Sequence, residues 1–191
     1  MTENNLGLTN MENLEEACYD AEAESFADTE NSYSVPGDSV ILYTNLNTQL
    51  STHFRVRDFA CSCPNQSCHH SRGYTPISSW LFSSLQRIRD NVGANITINS
   101  GFRCPANRAG ETDSLHRRGR AVDFRIAGMT NAQSALAGAR AAQAINMPGI
   151  IMYRGDLNFT HIETRTNGRS WLRTADGGRS FSTVSDFNAI T

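Results

Sequence analysis

The chain has 191 residues, enough for one domain with a real core and too few for two of ordinary size. No apolar run reaches the roughly 18–20 residues that cross a bilayer as a helix, which excludes a helical membrane span. The net charge of −2 conceals an asymmetry: ten acidic and no basic residues up to Asp38, then nine acidic residues and seventeen arginines, with no lysine anywhere.

That asymmetry divides the chain. Residues 1–38 read as an acidic N-terminal arm, with too little apolar surface to offset the entropy of ordering it. Met11 to Ala27 has the pattern of a weak acidic helix at most. The arm is either a tail without a role or a docking segment for a larger assembly, such as a virion. The opening MTENNLGLTNMENLEEACYD lacks the basic start and apolar stretch of a secretory signal. The expectation is therefore synthesis in the cytoplasm, with delivery to any target beyond it left to another agent.

Residues 39–191 form the folded domain. Val40 to Tyr43 reads as a short strand. Thr52 to Phe59 (THFRVRDF) alternates apolar and polar residues and leads into Cys61, Cys63, Cys68, His69 and His70. A helix is predicted from Ile77 to about Asn91, because Ile77, Trp80, Leu81, Leu85 and Ile88 form one apolar stripe. Gly93 ends it. Ile96 to Asn99 is a short β-branched strand. Ser114 to Arg120 reads as a turn, followed by a strand from Ala121 to Ile126. Thr130 caps a second, alanine-rich helix from Asn131 to about Ile145. Gly149 to Tyr153 and Phe159 to Arg165 make a hairpin, and Ser170 to Arg173 adds a short strand. These elements predict an α+β fold, a small antiparallel sheet packed with helices.

Two ionisable residues lie on predicted core strands. Asp123 sits in the apolar run Ala121 to Phe124, and His161 in Phe159 to Ile162. A carboxylate in such a run is costly unless it is paired or metal-bound. His116 precedes Asp123 by seven residues, and Gly119 allows a sharp turn between them. Three ligands with an open fourth position is the usual set for catalytic zinc. A buried His–Asp hydrogen bond without metal is the alternative.

The block Ser114-x-His116-x-x-Gly119-x-Ala121-x-Asp123 resembles the signature of the zinc D-alanyl-D-alanine carboxypeptidase family. The family includes D-Ala-D-Ala dipeptidases and the peptidase domains of phage endolysins. Ser100-Gly101-Phe102-Arg103-Cys104-Pro105 before the block and Phe159-Thr160-His161-Ile162-Glu163 after it match two further family elements. The similarity runs from about Thr52 to Trp171. It implies the hedgehog/D-Ala-D-Ala peptidase fold and zinc held by His116, Asp123 and His161. It implies that Arg103 binds substrate and stabilises the oxyanion, and that Ser114 lies beside the substrate. The expected function is hydrolysis of peptidoglycan stem peptides, as a D,D-carboxypeptidase or an endopeptidase, in phage lysis or in breaching the wall during infection.

One position departs from the pattern. Many relatives carry an acid three residues before the last histidine ligand, where this chain has Asn158. Asp156, in the turn before His161, and Glu163, on the same strand face as His161, are the candidate general bases. Glu163 alternatively serves as a supporting group. The departure also keeps open a non-catalytic, zinc-bearing structural or binding protein on the same fold.

The odd count of five cysteines argues against a full disulfide framework. Cys61, Cys63, Cys68 and Cys104 are read as reduced thiols, as a disulfide involving Cys104, or as part of a second metal site with a histidine. Arg154-Gly155-Asp156 is a chance tripeptide. Arg117, Arg118, Arg120 and Arg125 form a basic stretch expected to face an acidic substrate or solvent. Nucleic acid is not expected as a partner, because interleaved aromatics and recognised modules are missing.

Overall fold

The computed structural model describes residues 38–62, 74–104, 107, 113–165, 171–177 and 180–191. The arm before Asp38 lies outside these residues, as do Cys18, Cys63, Cys68, His69, His70 and Pro105. The chain folds as α+β, with a two-stranded antiparallel sheet and a six-stranded mixed sheet packed with helices. None of the described helices is long and apolar enough to cross a membrane.

The first strand, β1 (Val40–Tyr43), pairs antiparallel with β2 (Thr75–Ser78), and Ile41 lies opposite Ile77. That pairing withdraws Ile77 from the helix its spacing predicted, so α2 (Ser79–Val92) begins two residues later. Ser78 Oγ caps α2 by accepting the Leu81 N–H at 3.1 Å. The Asp38 carboxylate accepts from Ser78 Oγ at 2.7 Å, from the Trp80 N–H at 3.1 Å and from Arg120 at 2.6 Å. An anion at a helix start is favoured by the exposed N–H groups there. The boundary residue of the acidic arm is thus tied into the domain.

The alternation in Thr52 to Phe59 yields one helical turn, α1 (Val56–Phe59), where the pattern suggested extended chain. Asp58 accepts the Arg55 N–H at 2.7 Å and closes the turn, which buries Val56 and Phe59 three residues apart.

The large sheet consists of β3 (Ile96–Ser100), β4 (Ala121–Ile126), β5 (Gly149–Arg154), β6 (Thr160–Glu163), β7 (Trp171–Asp176) and β8 (Ser180–Thr183). Their order is β3-β4-β6-β5-β7-β8, antiparallel except for the parallel pair β5 and β7. The parallel pair follows from topology: β6 occupies one edge of β5 through the hairpin, so the returning chain adds to the other edge. The sheet is larger than the sequence predicted, because β8 and the second half of β7 carry no clean period-two pattern.

Helix α3 (Asn131–Ala144) starts where expected, with a reciprocal cap between Thr130 and Gln133. It packs on β4, β5 and β6. Val122, Phe124, Ile126, Ile150, Met152 and Ile162 alternate toward this helical face and join the core. The residues between them point to the opposite face, which carries the polar chemistry.

Candidate metal centre

Strand registers place one transverse row of side chains across the open face of the sheet. Ser100 pairs with Asp123, Asp123 with His161, His161 with Ile151, Ile151 with Arg173, and Arg173 with Thr183. The neighbouring row runs Ala121, Glu163, Gly149, Trp171. His116 reaches the first row from a 3-10 turn, Leu115–Arg118, that ends in Gly119 at φ 64°. A side chain at Gly119 would stand 2.3 Å from the Pro76 carbonyl oxygen, so only glycine permits this turn against β2.

His116, Asp123 and His161 are 2%, 5% and 7% exposed, and one ligand atom from each lies within 4.8 Å of the others. His116 Nε2 is 3.3 Å from Asp123 Oδ2 and 3.3 Å from His161 Nδ1. His161 Nδ1 is 2.8 Å from Asp123 Oδ1. The outer nitrogens face acceptors: His116 Nδ1 lies 2.7 Å from the Gly101 carbonyl oxygen, and His161 Nε2 lies 3.1 Å from Glu163 Oε2. Neither acceptor has a proton to give at neutral pH, so each outer nitrogen carries the N–H. The inner nitrogen of each neutral ring then presents a lone pair, and both converge with a carboxylate oxygen. A cation is what such a cluster accommodates, so the donor set fits a zinc ion. The outer hydrogen bonds fix tautomer and ring orientation.

Without a cation, the cluster must take up a proton. Burial disfavours the charge on His161, but its hydrogen bonds to Asp123 and Glu163 outweigh that and raise its pKa to about 9. Burial pushes the His116 pKa down despite Asp123. Burial would raise the carboxyls of Asp123 and Glu163, yet the charge and hydrogen bonds of the histidines hold both well below their usual range. Glu163 is held at about 2, with Arg165 contributing.

Arg103 donates from its terminal nitrogen to Asp123 Oδ2 at 2.8 Å and from Nε to Ser100 Oγ at 2.9 Å. Its remaining N–H groups are not taken up by these two bonds. Above the cluster opens a cleft of about 420 Å³ whose wall includes Arg103, Ser114 and Glu163. Ser114 does not use its hydroxyl to cap the turn that follows it.

Six of the seven sequence-derived site residues therefore come together: His116, Asp123, His161, Arg103, Ser114 and Glu163. Asp156 does not join them; it is exposed in the β5–β6 turn and is not part of the cleft wall. Asn158 in the same turn has φ 41°, a left-handed conformation that Asn tolerates better than most residues. Its side chain donates to the Gly155 carbonyl oxygen, so the position closes a turn.

The basic stretch is only in part what its sequence suggested. Arg120 is buried against Asp38, and Arg125 donates to the carbonyl oxygens of Leu157 at 2.5 Å and Asn158 at 3.0 Å. The cations beside the cluster are instead Arg103, Arg165 and Arg173. Arg165 and Arg173 each stack on the Trp171 ring, at 3.8 and 3.9 Å from its centroid. Tyr153, Phe159 and Phe181 form the aromatic side of the cleft, with Tyr153 stacked on Phe159 at 4.4 Å. Asp113 is exposed at its rim. Sequence reasoning missed Asp113, Trp171 and Arg173. Adjacency to Ser114 could have flagged Asp113; the other two depend on the parallel β5–β7 register.

Cys61 and Cys104 are both buried, and the Cys104 N–H and Asn107 side-chain amide donate to Cys61 Sγ at 3.4 and 3.3 Å. The rest of the expected cysteine–histidine cluster lies outside the described residues.

No curated protein matches the chain. The Peptidase M15 family profile matches residues 52–163, more than half of the sequence. That span begins just before the turn that buries Val56 and Phe59 and ends on Glu163, so it takes in His116, Asp123 and His161, which could hold a metal ion, and the groups that orient them. With a ligand set suited to zinc under an open cleft, the chain belongs to the peptidase M15 family and has the site of a metallopeptidase.

Proposed function

We propose that this protein hydrolyses peptide bonds in the stem peptides of bacterial peptidoglycan, with zinc held by His116, Asp123 and His161. The observation that carries the proposal is the convergence of two imidazole lone pairs and a carboxylate at the floor of an open cleft. A zinc ion so held would polarise the scissile carbonyl and acidify a water molecule.

The side chains around it divide the remaining work. Arg103 is fixed by Asp123 and Ser100, with N–H groups left over to bind the carbonyl oxygen as negative charge develops. Ser114 offers a hydroxyl to the substrate backbone. Glu163 accepts the water's proton and passes it to the leaving amine. Against burial, the hydrogen bond from His161 and then its charge hold the Glu163 pKa low, with Arg165 contributing. A neutral, ligating His161 keeps the hydrogen bond but removes the charge, so the carboxylate is held down less firmly against burial, which raises its pKa. Asp156 would have to move from its exposed turn to do the same work, so Glu163 is the better base.

The acidic residues up to and including Asp38, ten with no basic residue among them, suit a docking segment for a larger assembly such as a phage particle. On that reading the peptidase acts on the wall during infection or lysis.

The test is muropeptide release from purified peptidoglycan, followed by mass spectrometry, with zinc content measured on each protein. Wild type should release peptide fragments whose masses identify the bond and separate carboxypeptidase from endopeptidase action. His116→Ala should lose both zinc and activity. Glu163→Gln should keep zinc and lose activity, and Asp156→Asn should keep both. Stoichiometric zinc with no cleavage of any wall chemotype would sink the enzyme reading in favour of a zinc-bearing structural protein.

A further inference from the structure

Arg173 is a cation without an assigned task. It lies on β7, beyond the residues that the family profile matches. It shares the transverse row of the ligands Asp123 and His161, with only Ile151 between it and His161. Two strand spacings separate Arg173 from His161, about 10 Å between Cα atoms. An extended peptide covers that distance in about three residues.

The neighbouring arginines are paired with carboxylates; among the described residues Arg173 is not. Arg103 is paired with Asp123, and Arg165 with Glu163. Among the described residues the Arg173 guanidinium meets only the rings of Trp171 and Phe181, at 3.9 and 5.9 Å from their centroids. Trp171 therefore carries two guanidiniums, of which Arg165 is already paired with Glu163. Ring stacking holds their planes and leaves the N–H edges to bind. An arriving anion would take up the fork of donors on Arg173.

We infer that Arg173, stacked on Trp171 and supported by Arg165, is a subsite for a free carboxylate of the substrate peptide, within about three residues of the bond cut. The inference rests on the peptidase reading above and narrows it. The preferred substrate is an acidic peptide that keeps this carboxylate ionised and unamidated. Arg173 acts there as a specificity-determining residue, and Trp171 as the positioning residue that fixes its plane.

The test compares stem peptides carrying free carboxylates with the same peptides amidated chemically. Wild type and Arg173→Gln are both assayed, after matching zinc content and circular dichroism. A charge-assisted pair of this kind is worth about tenfold or more in kcat/KM. Wild type should favour the free carboxylate by about that factor, and Arg173→Gln should lose the preference. Arg173→Lys should restore only part of it, because an ammonium lacks the planar fork.

If wild type cleaves both peptides equally, or Arg173→Gln keeps the preference, the subsite is refuted while the peptidase reading stands. If wild type cleaves nothing, the peptidase reading fails and binding decides instead. Trp171 fluorescence is titrated with both peptides in a Trp80→Phe background, which leaves Trp171 as the sole tryptophan. Tighter binding of the free carboxylate, lost in Arg173→Gln, supports the subsite; equal binding overturns it.

Discussion

Gly149 stands directly opposite Glu163 on the adjacent strand, and the space a side chain would fill there is occupied by the glutamate. A Cβ at Gly149 would lie 2.2 Å from Glu163 Cγ and 2.7 Å from Oε1. Glycine is thus the condition for Glu163 to lie flat across the sheet between His161 and Arg165. Gly149→Ala should displace Glu163, costing about 1–3 kcal/mol of stability by overpacking. Peptidase activity should fall about tenfold or more while zinc is retained. Urea unfolding and zinc analysis of the same preparation check this; an alanine variant with unchanged activity would show that the position of Glu163 is immaterial.

Removing ligands and removing their supports should give different results. Asp123→Asn should abolish zinc binding and leave Arg103 without its carboxylate. Glu163→Gln should keep zinc but weaken it by about 10–100-fold, the usual effect of losing the group that orients a ligating histidine. Competition with a chromophoric chelator separates the two.

The metal-free protein should lose stability as the solution becomes alkaline. His161 has a pKa of about 9 when folded against an ordinary 6.5, so its protonated form stabilises the fold. That contribution is complete below pH 6.5 and drains away as pH rises through 9. Glu163, lowered from 4.5 to about 2, contributes above pH 4.5 and is lost as pH falls through 2. The zinc-stripped Tm should therefore drop between pH 6.5 and 9, and a zinc-loaded sample should not show that drop. Zinc uptake at pH 7 should release protons, read by calorimetry in buffers of different ionisation enthalpy.

The pair between Asp38 and Arg120 is among the most buried charge pairs described, with side chains 0% and 8% exposed. Asp38→Ala should cost about 3–5 kcal/mol, because it strands a buried guanidinium. It also removes an acceptor from the start of α2. Urea titration gives the value, and a loss below about 1 kcal/mol would mean that water replaces the carboxylate.

The candidate metal centre was legible because its residues break local rules. Asp123 and His161 are polar groups on apolar strands, and their family spacing sharpened what burial alone left open. Alternation likewise placed Glu163 on the ligand face. Asp156 lies in an exposed turn away from the cleft, a placement that proximity in sequence does not show. The left-handed Asn158 and the clamp from Arg125 hold that turn outside the cleft. The helix start moved from Ile77 to Ser79 because strand pairing with β1 outweighed a helical stripe. Trp171 and Arg173 were read as a strand without a role, since the parallel partner that aligns them with His161 is a long-range choice no local pattern encodes.

Because ligands and neighbouring cations share one row, the chemistry depends on the phase of several strand pairings at once. Slipping β6 by one residue against β4 would turn His161 into the core and Ile162 out to the cleft. No partly misaligned sheet can offer all three ligands. Zinc occupancy therefore reports on correct assembly of the sheet, and metal uptake during refolding would select the native alignment from its one-residue neighbours.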